Sequence, residues 1–392
     1  MTTQQRGGFD LRRINHTLLT CATSNPFRYS SKRRVDKHPD AWQLLLEVIL
    51  TTPSVRLSWQ PKPPDAAGSM SPQSAPMAER SESILGMDPG RSYREMKVLI
   101  AGASGFLGTH LVERLASAGA RLHLVSRSPS PAGLPGCWYQ QDLSDSQGTE
   151  ELVRRIEPEL VFHLTSESRG GTELDNVLPT FRNDLACAVN CLVAATRVRC
   201  RRMVITGSLE EPDMRSSLQS PGLISLTPYA VAKRATRIYA EFFAAAYGLP
   251  LVTVIPFMTY GPRQKPFKIV PYTILTLLAG GQPRLSSGKR LVDWIYVDDV
   301  IDCFVAAGKM PGIEGMTFEV GSSELVSIAS VVNLIASLIP GSKEILFGAE
   351  PDRGHDRVSN ITPAVQYFGW RPRTPLRKGL EATIDWYRRH HR

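Results

Sequence analysis

Met96-Lys97-Val98-Leu99-Ile100-Ala101-Gly102-Ala103-Ser104-Gly105-Phe106-Leu107-Gly108 is the stretch that decides how this chain folds. Lys97 to Ala101 is a short apolar run, of the kind required by a strand buried on both faces of a parallel sheet. Gly102, Gly105 and Gly108 follow at spacing G-x-x-G-x-x-G, and a helix begins at once, with Leu107, Leu111, Val112 and Leu115 on one stripe. The three glycines allow a tight turn, close approach of backbone to a pyrophosphate, and close packing of helix on strand. The helix N-terminus, with unpaired N–H groups and a positive dipole end, receives the phosphate charge. A second run, Arg121 to Val125, completes strand, turn, helix and strand within about thirty residues. This predicts a dinucleotide site whose candidate residues are Gly102, Ser104, Gly105, Phe106, Leu107 and Gly108.

Further strands follow from this start. Cys137 to Gln141 and Leu160 to Leu164 read as the third and fourth, Arg202 to Thr206 as the fifth, with a buried helix over about 179–196. Strands alternating with helices at this rhythm predict an α/β fold, a Rossmann-type doubly wound parallel sheet. Ligands on such sheets bind at the carboxyl ends of the strands. Ser126, Arg127, Asp142, Leu143, Leu164, Thr165 and, farther on, Pro256 fall at such ends and join the cofactor candidates. At the second strand tip an acid would accept bonds from a ribose 2′-OH, whereas Ser126-Arg127 makes room and charge for a 2′-phosphate. Arg127 therefore favours NADP over NAD, the alternative being a solvated surface arginine.

The 392 residues are 42% hydrophobic and 21% charged, an ordinary globular composition with ample length for a core. The net charge of +9 is spread along the chain, which fits a pocket for phosphate-rich ligands better than a nucleic-acid surface. The six cysteines show no metal-ligand spacing and read as reduced thiols of a cytoplasmic protein, with no metal expected. No run approaches the roughly 18 apolar residues of a membrane span.

Residues 1–95 differ in character. Pro53, Pro61, Pro63, Pro64, Pro72, Pro76 and Pro89 among Ser, Gln and Ala describe a linker. Arginines among Ser and Thr near the start faintly resemble a transit peptide. The stretch reads as a poorly ordered extension or as sequence upstream of the true start, since Met87 and Met96 both precede the first strand closely. The remainder divides into a dinucleotide-binding part, 96–261, and a mainly substrate-binding part, 262–392, from which 291–310 returns to the core.

Beyond the fifth strand, Ser208 is followed by Tyr229-Ala-Val-Ala-Lys233 in a helix that Pro228 opens. A spacing of four puts both side chains on one face. A free tyrosine, with a pKa near 10, is a poor base, but a neighbouring ammonium favours phenolate. Tyr229 can then exchange a proton with a substrate hydroxyl while hydride moves. Ser208 would hold the same oxygen, and Lys233 the nicotinamide ribose.

Gly102-x-x-Gly105-x-x-Gly108, Thr206-Gly207-Ser208-Leu209-Glu210-Glu211, Tyr229-x-x-x-Lys233, Tyr260-Gly261-Pro262, Asp293-Trp294-Ile295-Tyr296-Val297-Asp298-Asp299-Val300 and Gly369-Trp370-x-Pro372 together mark a family. From Met96 onward, about three-quarters of its length, the chain resembles the extended short-chain dehydrogenase/reductases of the nucleotide-sugar epimerase/dehydratase group. The resemblance implies an NAD(P)-dependent enzyme with Ser208, Tyr229 and Lys233 as its catalytic triad. Hydride transfer at C4 of a nucleotide-activated hexose is implied, giving 4-epimerisation or 4-keto reduction. Glu210 stands two residues after the serine, where dehydratases and decarboxylases of the group carry a working glutamate; a plain strand-end acid is the other reading. The resemblance also implies a small C-terminal lobe that clamps the nucleotide diphosphate, with Met258, Lys268, Arg290 and Arg357 as substrate candidates, Arg353 beside them, and solvated charges as the alternative for the basic ones. A homodimer formed through the helices near 179–196 and 229–247 is a further implication. The chain departs from the group at Pro212-Asp213, at Ile255 and Met258, and at Ser126-Arg127. A dinucleotide-binding sensor or scaffold without turnover is the reading outside enzymology.

Overall fold

Val98 and Ile100 enter one hydrophobic core and Leu99 and Ala101 another, so strand β1 (Lys97–Ala101) is buried on both faces with the two-residue period of a strand. The computed structural model describes residues 93–129, 133–166, 171–211, 227–348 and 357–390. The readings made for residues 1–92, Pro212, Asp213 and Arg353 lie outside them.

After β1 come α1 (Phe106–Ser117), β2 (Arg121–Ser126), β3 (Cys137–Gln140), α2 (Ser146–Ile156) and β4 (Leu160–His163). A helical stretch then runs from α3 (Val177–Thr180) through a π-helical segment (Phe181–Ala186) into α4 (Cys187–Arg197). β5 (Arg202–Thr206), α5 (Pro228–Tyr247), β6 (Leu251–Pro256), β7 (Met258–Tyr260), α6 (Ile269–Leu278), β8 (Leu291–Tyr296) and α7 (Val297–Lys309) follow. The chain continues with β9 (Thr317–Val320), β10 (Leu325–Ser327), α8 (Ile328–Leu338), α9 (Thr362–Phe368) and α10 (Leu376–His390).

Seven strands form one parallel sheet in the order β3-β2-β1-β4-β5-β6-β9. This is the Rossmann-type doubly wound sheet expected from the sequence, and its order reverses between β1 and β4, where such sheets open a ligand crevice. One face packs against α1 and α7, and its core runs on into α8 and α10; the other packs against α2, α4 and α5. A smaller sheet, β10-β8-β7, stands beside the large one.

The structure differs from expectation at three places. Tyr93 is buried, its hydroxyl donating to the Val305 carbonyl at 2.6 Å, so the packed unit includes residues ahead of Met96. Within 291–310, α7 lies on the large sheet but β8 belongs to the small one, pairing with β7 and β10. β8 nevertheless buries Val292, Ile295 and Tyr296 in the core shared with α7, and the seventh strand of the large sheet is β9, which pairs Phe318 with Val254. An edge strand of four residues carries too little periodic signal to be told from a loop.

Candidate active site

Gly102 leaves β1 with φ +83°, and a Cβ there would meet the Leu164 carbonyl carbon and the Thr165 nitrogen at 2.9 Å. The turn after β1 thus lies directly against the end of β4, joined also by Leu164 N–H donating to Ala101 O at 2.9 Å. A Cβ on Gly108 would meet the Ala103 carbonyl oxygen at 2.8 Å and that of Gly102 closer still. Gly105, whose N–H donates to Gly102 O at 3.0 Å, is the N-cap of α1 and gives it no side-chain cap. The first-turn N–H groups of α1 therefore face the crevice uncapped by a side chain, which suits an anionic group. Ser104 is exposed on this turn, and Phe106 and Leu107 are half-buried in the first helical turn. This glycine cradle fits the pyrophosphate of a dinucleotide.

Around the cradle stand the tips of the neighbouring strands. Ser126 is buried and its hydroxyl donates to Ser128 O at 2.5 Å, while the exposed Arg127 donates to Asn183 Oδ1 at 2.7 Å. Asp142 accepts from the Ser144 N–H at 2.9 Å, the Ser144 hydroxyl at 2.7 Å and Arg182 at 3.0 Å. Burial alone would raise its carboxyl, but these hydrogen bonds with the Arg182 and Arg127 charges hold it below the usual range. Leu143 is buried, its carbonyl held by Asn190 at 2.9 Å.

α5 carries Tyr229 and Lys233. Thr227 caps it, accepting from Ala230 N–H at 3.1 Å, and Pro228 at its first position pre-sets the entry. Lys233 is buried. Its Nζ donates to Thr165 O at 3.2 Å and Thr206 O at 3.4 Å, and lies 5.8 Å from the Tyr229 ring centre. The lysine expected from spacing alone is thus tied to the ends of β4 and β5. Half-buried Tyr229 sits one helical turn before it.

Ser208 is buried two residues beyond β5. Its Oγ accepts from the Glu210 N–H at 3.1 Å, which leaves the hydroxyl proton free to donate elsewhere. Glu210 itself is exposed. Its neighbour Glu211, which sequence reasoning passed over, is the one whose side chain is buried. Glu211 Oε1 accepts the Ser208 N–H at 2.8 Å, and Oε2 pairs with Arg237 at 2.8 Å. Burial pushes its carboxyl up, opposed by Arg237 and the Ser208 N–H. Two adjacent glutamates at a strand end offer no sequence signal for which one turns inward.

His163, at the end of β4, is also buried. Thr165 Oγ1 lies 2.8 Å from its Nε2, and burial with the nearby Lys233 charge pushes it down to about 3, so it is neutral.

Pro256 and Met258 are half-buried where β6 gives way to β7. Arg357 stands over the Phe257 ring at 4.7 Å and pairs with Glu319 at 2.6 Å, which places it at this same end. Met258 pairs with Trp294 on a parallel strand, and Arg290 immediately precedes β8, its carbonyl accepting the Ile328 N–H at 3.0 Å. Lys268 is the N-cap residue of α6 and lies over Phe267 at 5.6 Å. The structure thus sets Arg357 beside Phe257 just past β6, Arg290 ahead of β8 and Lys268 at the start of α6. Among the described residues no cluster of side chains is arranged to hold a metal, and no helix is long and apolar enough to cross a membrane.

A doubly wound sheet, a glycine cradle at its switch point and a tyrosine–lysine helix beside it define an extended short-chain dehydrogenase/reductase. The chain belongs to the NAD dependent epimerase/dehydratase family, whose sequence pattern matches residues 98–321. It is similar to a UDP-glucose 4-epimerase of Mycolicibacterium smegmatis, 27% identical over 75% of this chain and 99% of that protein. It is similar also to a dTDP-glucose 4,6-dehydratase of Mycobacterium tuberculosis, 26% identical over 75% of this chain and 93% of that one. The crystal structure of a UDP-glucose 4-epimerase from Thermotoga maritima with UDP-glucose shares the fold, with a TM-score of 0.68 and 24% identity, covering 76% of this chain and all of that one.

Proposed function

We propose that this protein is an NAD(P)-dependent enzyme acting on a nucleotide-activated hexose, with hydride transfer at C4 that leads to 4-epimerisation or 4-keto reduction. The observation that carries the reading is Lys233, buried between the Thr165 and Thr206 carbonyls one turn from Tyr229, beside the glycine cradle. A bound nicotinamide dinucleotide supplies the hydride acceptor and donor. Tyr229 takes the proton of the substrate hydroxyl, and Ser208 donates a hydrogen bond to the same oxygen. Lys233 holds the charge and the ribose beside them. Arg290 and Arg357, with Lys268 on the lobe, are the candidates for the diphosphate.

Ser126 and Arg127 at the β2 tip, neither of them an acid, support NADP as the preferred dinucleotide. The second reading, 4,6-dehydration or decarboxylation through Glu210, is favoured by that residue's exposure next to Ser208. Leu174, Leu178 and Phe181 ahead of α4, and Ile238, Phe242 and Tyr247 on α5, are exposed apolar side chains on the two stretches that a homodimer would pair. The free cysteines, four of them buried thiols, suit a reducing compartment such as the cytoplasm.

The decisive experiment incubates the protein with UDP-glucose or dTDP-glucose and each dinucleotide, and follows the sugar products. Formation of a 4-epimer, or NADPH-dependent reduction of a 4-keto sugar, is expected. Tyr229→Phe should lower turnover by a factor of at least about 10² while retaining dinucleotide binding. A 4-keto-6-deoxy product would favour the second reading. Full activity of Tyr229→Phe would refute the role given to that residue.

A further inference from the structure

We propose that Asp184 is a positioning residue for the reaction: its buried carboxylate, 3.7 Å from Lys233 Nζ, neutralises the lysine charge and so sets how readily the Tyr229 phenol ionises. The proposal rests on the reading of Tyr229 and Lys233 given above.

Three observations carry it. Asp184 and Lys233 are both buried, so their charges act through little solvent and outweigh any exposed pair at similar range. Lys233 meets three acceptors, Thr165 O, Thr206 O and Asp184 Oδ1, from three elements, and only the last is charged. Asp184 lies in the π-helical segment, an uncommon geometry that recurs at functional sites. Within this segment Arg182 bonds Asp142, Asn183 accepts from Arg127, and Asp184 pairs with Lys233. Three consecutive residues thus engage three side chains of the dinucleotide cleft.

The other ionisable groups around the pair do not take over its charge balance. His163, from β4, is neutral. Glu211, from the turn after β5, feels the Lys233 charge as well, but it is held by Arg237 of α5 at 2.8 Å, where Arg234 also adds positive charge. Cys187, beginning α4, is pushed up to about 12 by burial and by Asp142, and stays a thiol. Asp142 is bonded by Arg182, and Arg127 by Asn183, so these charges are engaged with one another and with the π segment. Asp184 is therefore the carboxylate that pairs with the lysine at ion-pair distance, while Glu211 is engaged by Arg237. With it present, Lys233 favours phenolate less than a lone buried ammonium would.

The experiment uses the full chain and needs no substrate. The near-ultraviolet absorbance of tyrosinate is titrated in the wild type and in Asp184→Asn, each minus its own Tyr229→Phe partner, which isolates one phenol among the 11 tyrosines. The isosteric Asp184→Asn should move the Tyr229 midpoint down by about one pH unit. Asp184→Ser, which leaves room for a water, should move it the same way. An unmoved or raised midpoint in whichever variant folds overturns the proposal, as does loss of folded protein in both, which would assign Asp184 a structural role. The reading of Tyr229 fails separately: Tyr229→Phe would then leave turnover of the sugar nucleotide intact, whatever the midpoints do.

Discussion

Gly108 has no room for even one methyl group. A Cβ would press on the Gly102 and Ala103 carbonyls, which are backbone atoms of the turn itself and have nowhere to retreat. Gly108→Ala should therefore push α1 away from β1 and spoil the anion cradle. A loss of roughly 1–3 kcal/mol of stability is expected, with dinucleotide affinity falling at least tenfold; thermal unfolding and a dinucleotide titration measure the two. Native affinity in that variant would count against the cradle. Gly102 is required for a different reason, its positive φ together with the backbone of Leu164 and Thr165 close by. Ser208, Tyr229 and Lys233 were legible from spacing and order. Asp184 and Glu211 were not, because a single acid beside other polar residues in a helical stretch, or one of two at a strand end, carries no pattern that reports burial.

At the scale of elements, α5 has two jobs set by its two faces. Ala230, Lys233, Thr236 and Ala240 lie on the buried side, with Arg237 half-buried beside them. Ile238, Phe242 and Tyr247 remain exposed, an amount of apolar surface that a solvated helix has no reason to keep. If this face pairs two copies, Ile238→Glu with Phe242→Glu should convert a dimer into a monomer, halving the mass seen by sedimentation. An unchanged mass would exclude this face. The motif aspartates near β8 are also explained at this scale. Asp293 accepts the Ser322 and Ser323 N–H groups at 2.6 and 3.2 Å and the Ser359 N–H at 2.9 Å, and Asp299 accepts those of Arg373 and Thr374 at 3.0 Å each. They tie the C-terminal segment to β8 and α7. These residues marked the family in the sequence, but their work is to satisfy backbone donors.

For the molecule as a whole, the buried neutral His163 couples folding to pH. Its folded value, about 3, lies below the ordinary 6.5, so the unfolded chain binds a proton that the native one does not between those two values. Stability from this group is complete above about pH 6.5 and is lost as pH falls toward 3. The loss is on the order of a few kcal/mol. Denaturant unfolding across that window should show a shallower pH slope in His163→Gln than in the wild type. Equal slopes would mean that the ring is not held neutral. The same burial lets the Lys233 charge act strongly on its surroundings, so the stability of the core and the chemistry of the cleft draw on one low-dielectric environment.

The sequence by itself determined the local grammar of this protein. The apolar run and glycine turn at Lys97 to Gly108, the five strands from β1 to β5, and the helix that carries the candidates Tyr229 and Lys233 are fixed by short-range sterics and periodicity. Tertiary structure alone decided that β9 closes the large sheet while β8 joins the small one, since strand partners are chosen by non-local packing. It alone decided, too, that Glu211 turns inward while Glu210 faces solvent, and that Asp184 meets Lys233. Burial and pairing belong to residues far apart in the chain. A charge becomes consequential only where the folded molecule removes water from around it.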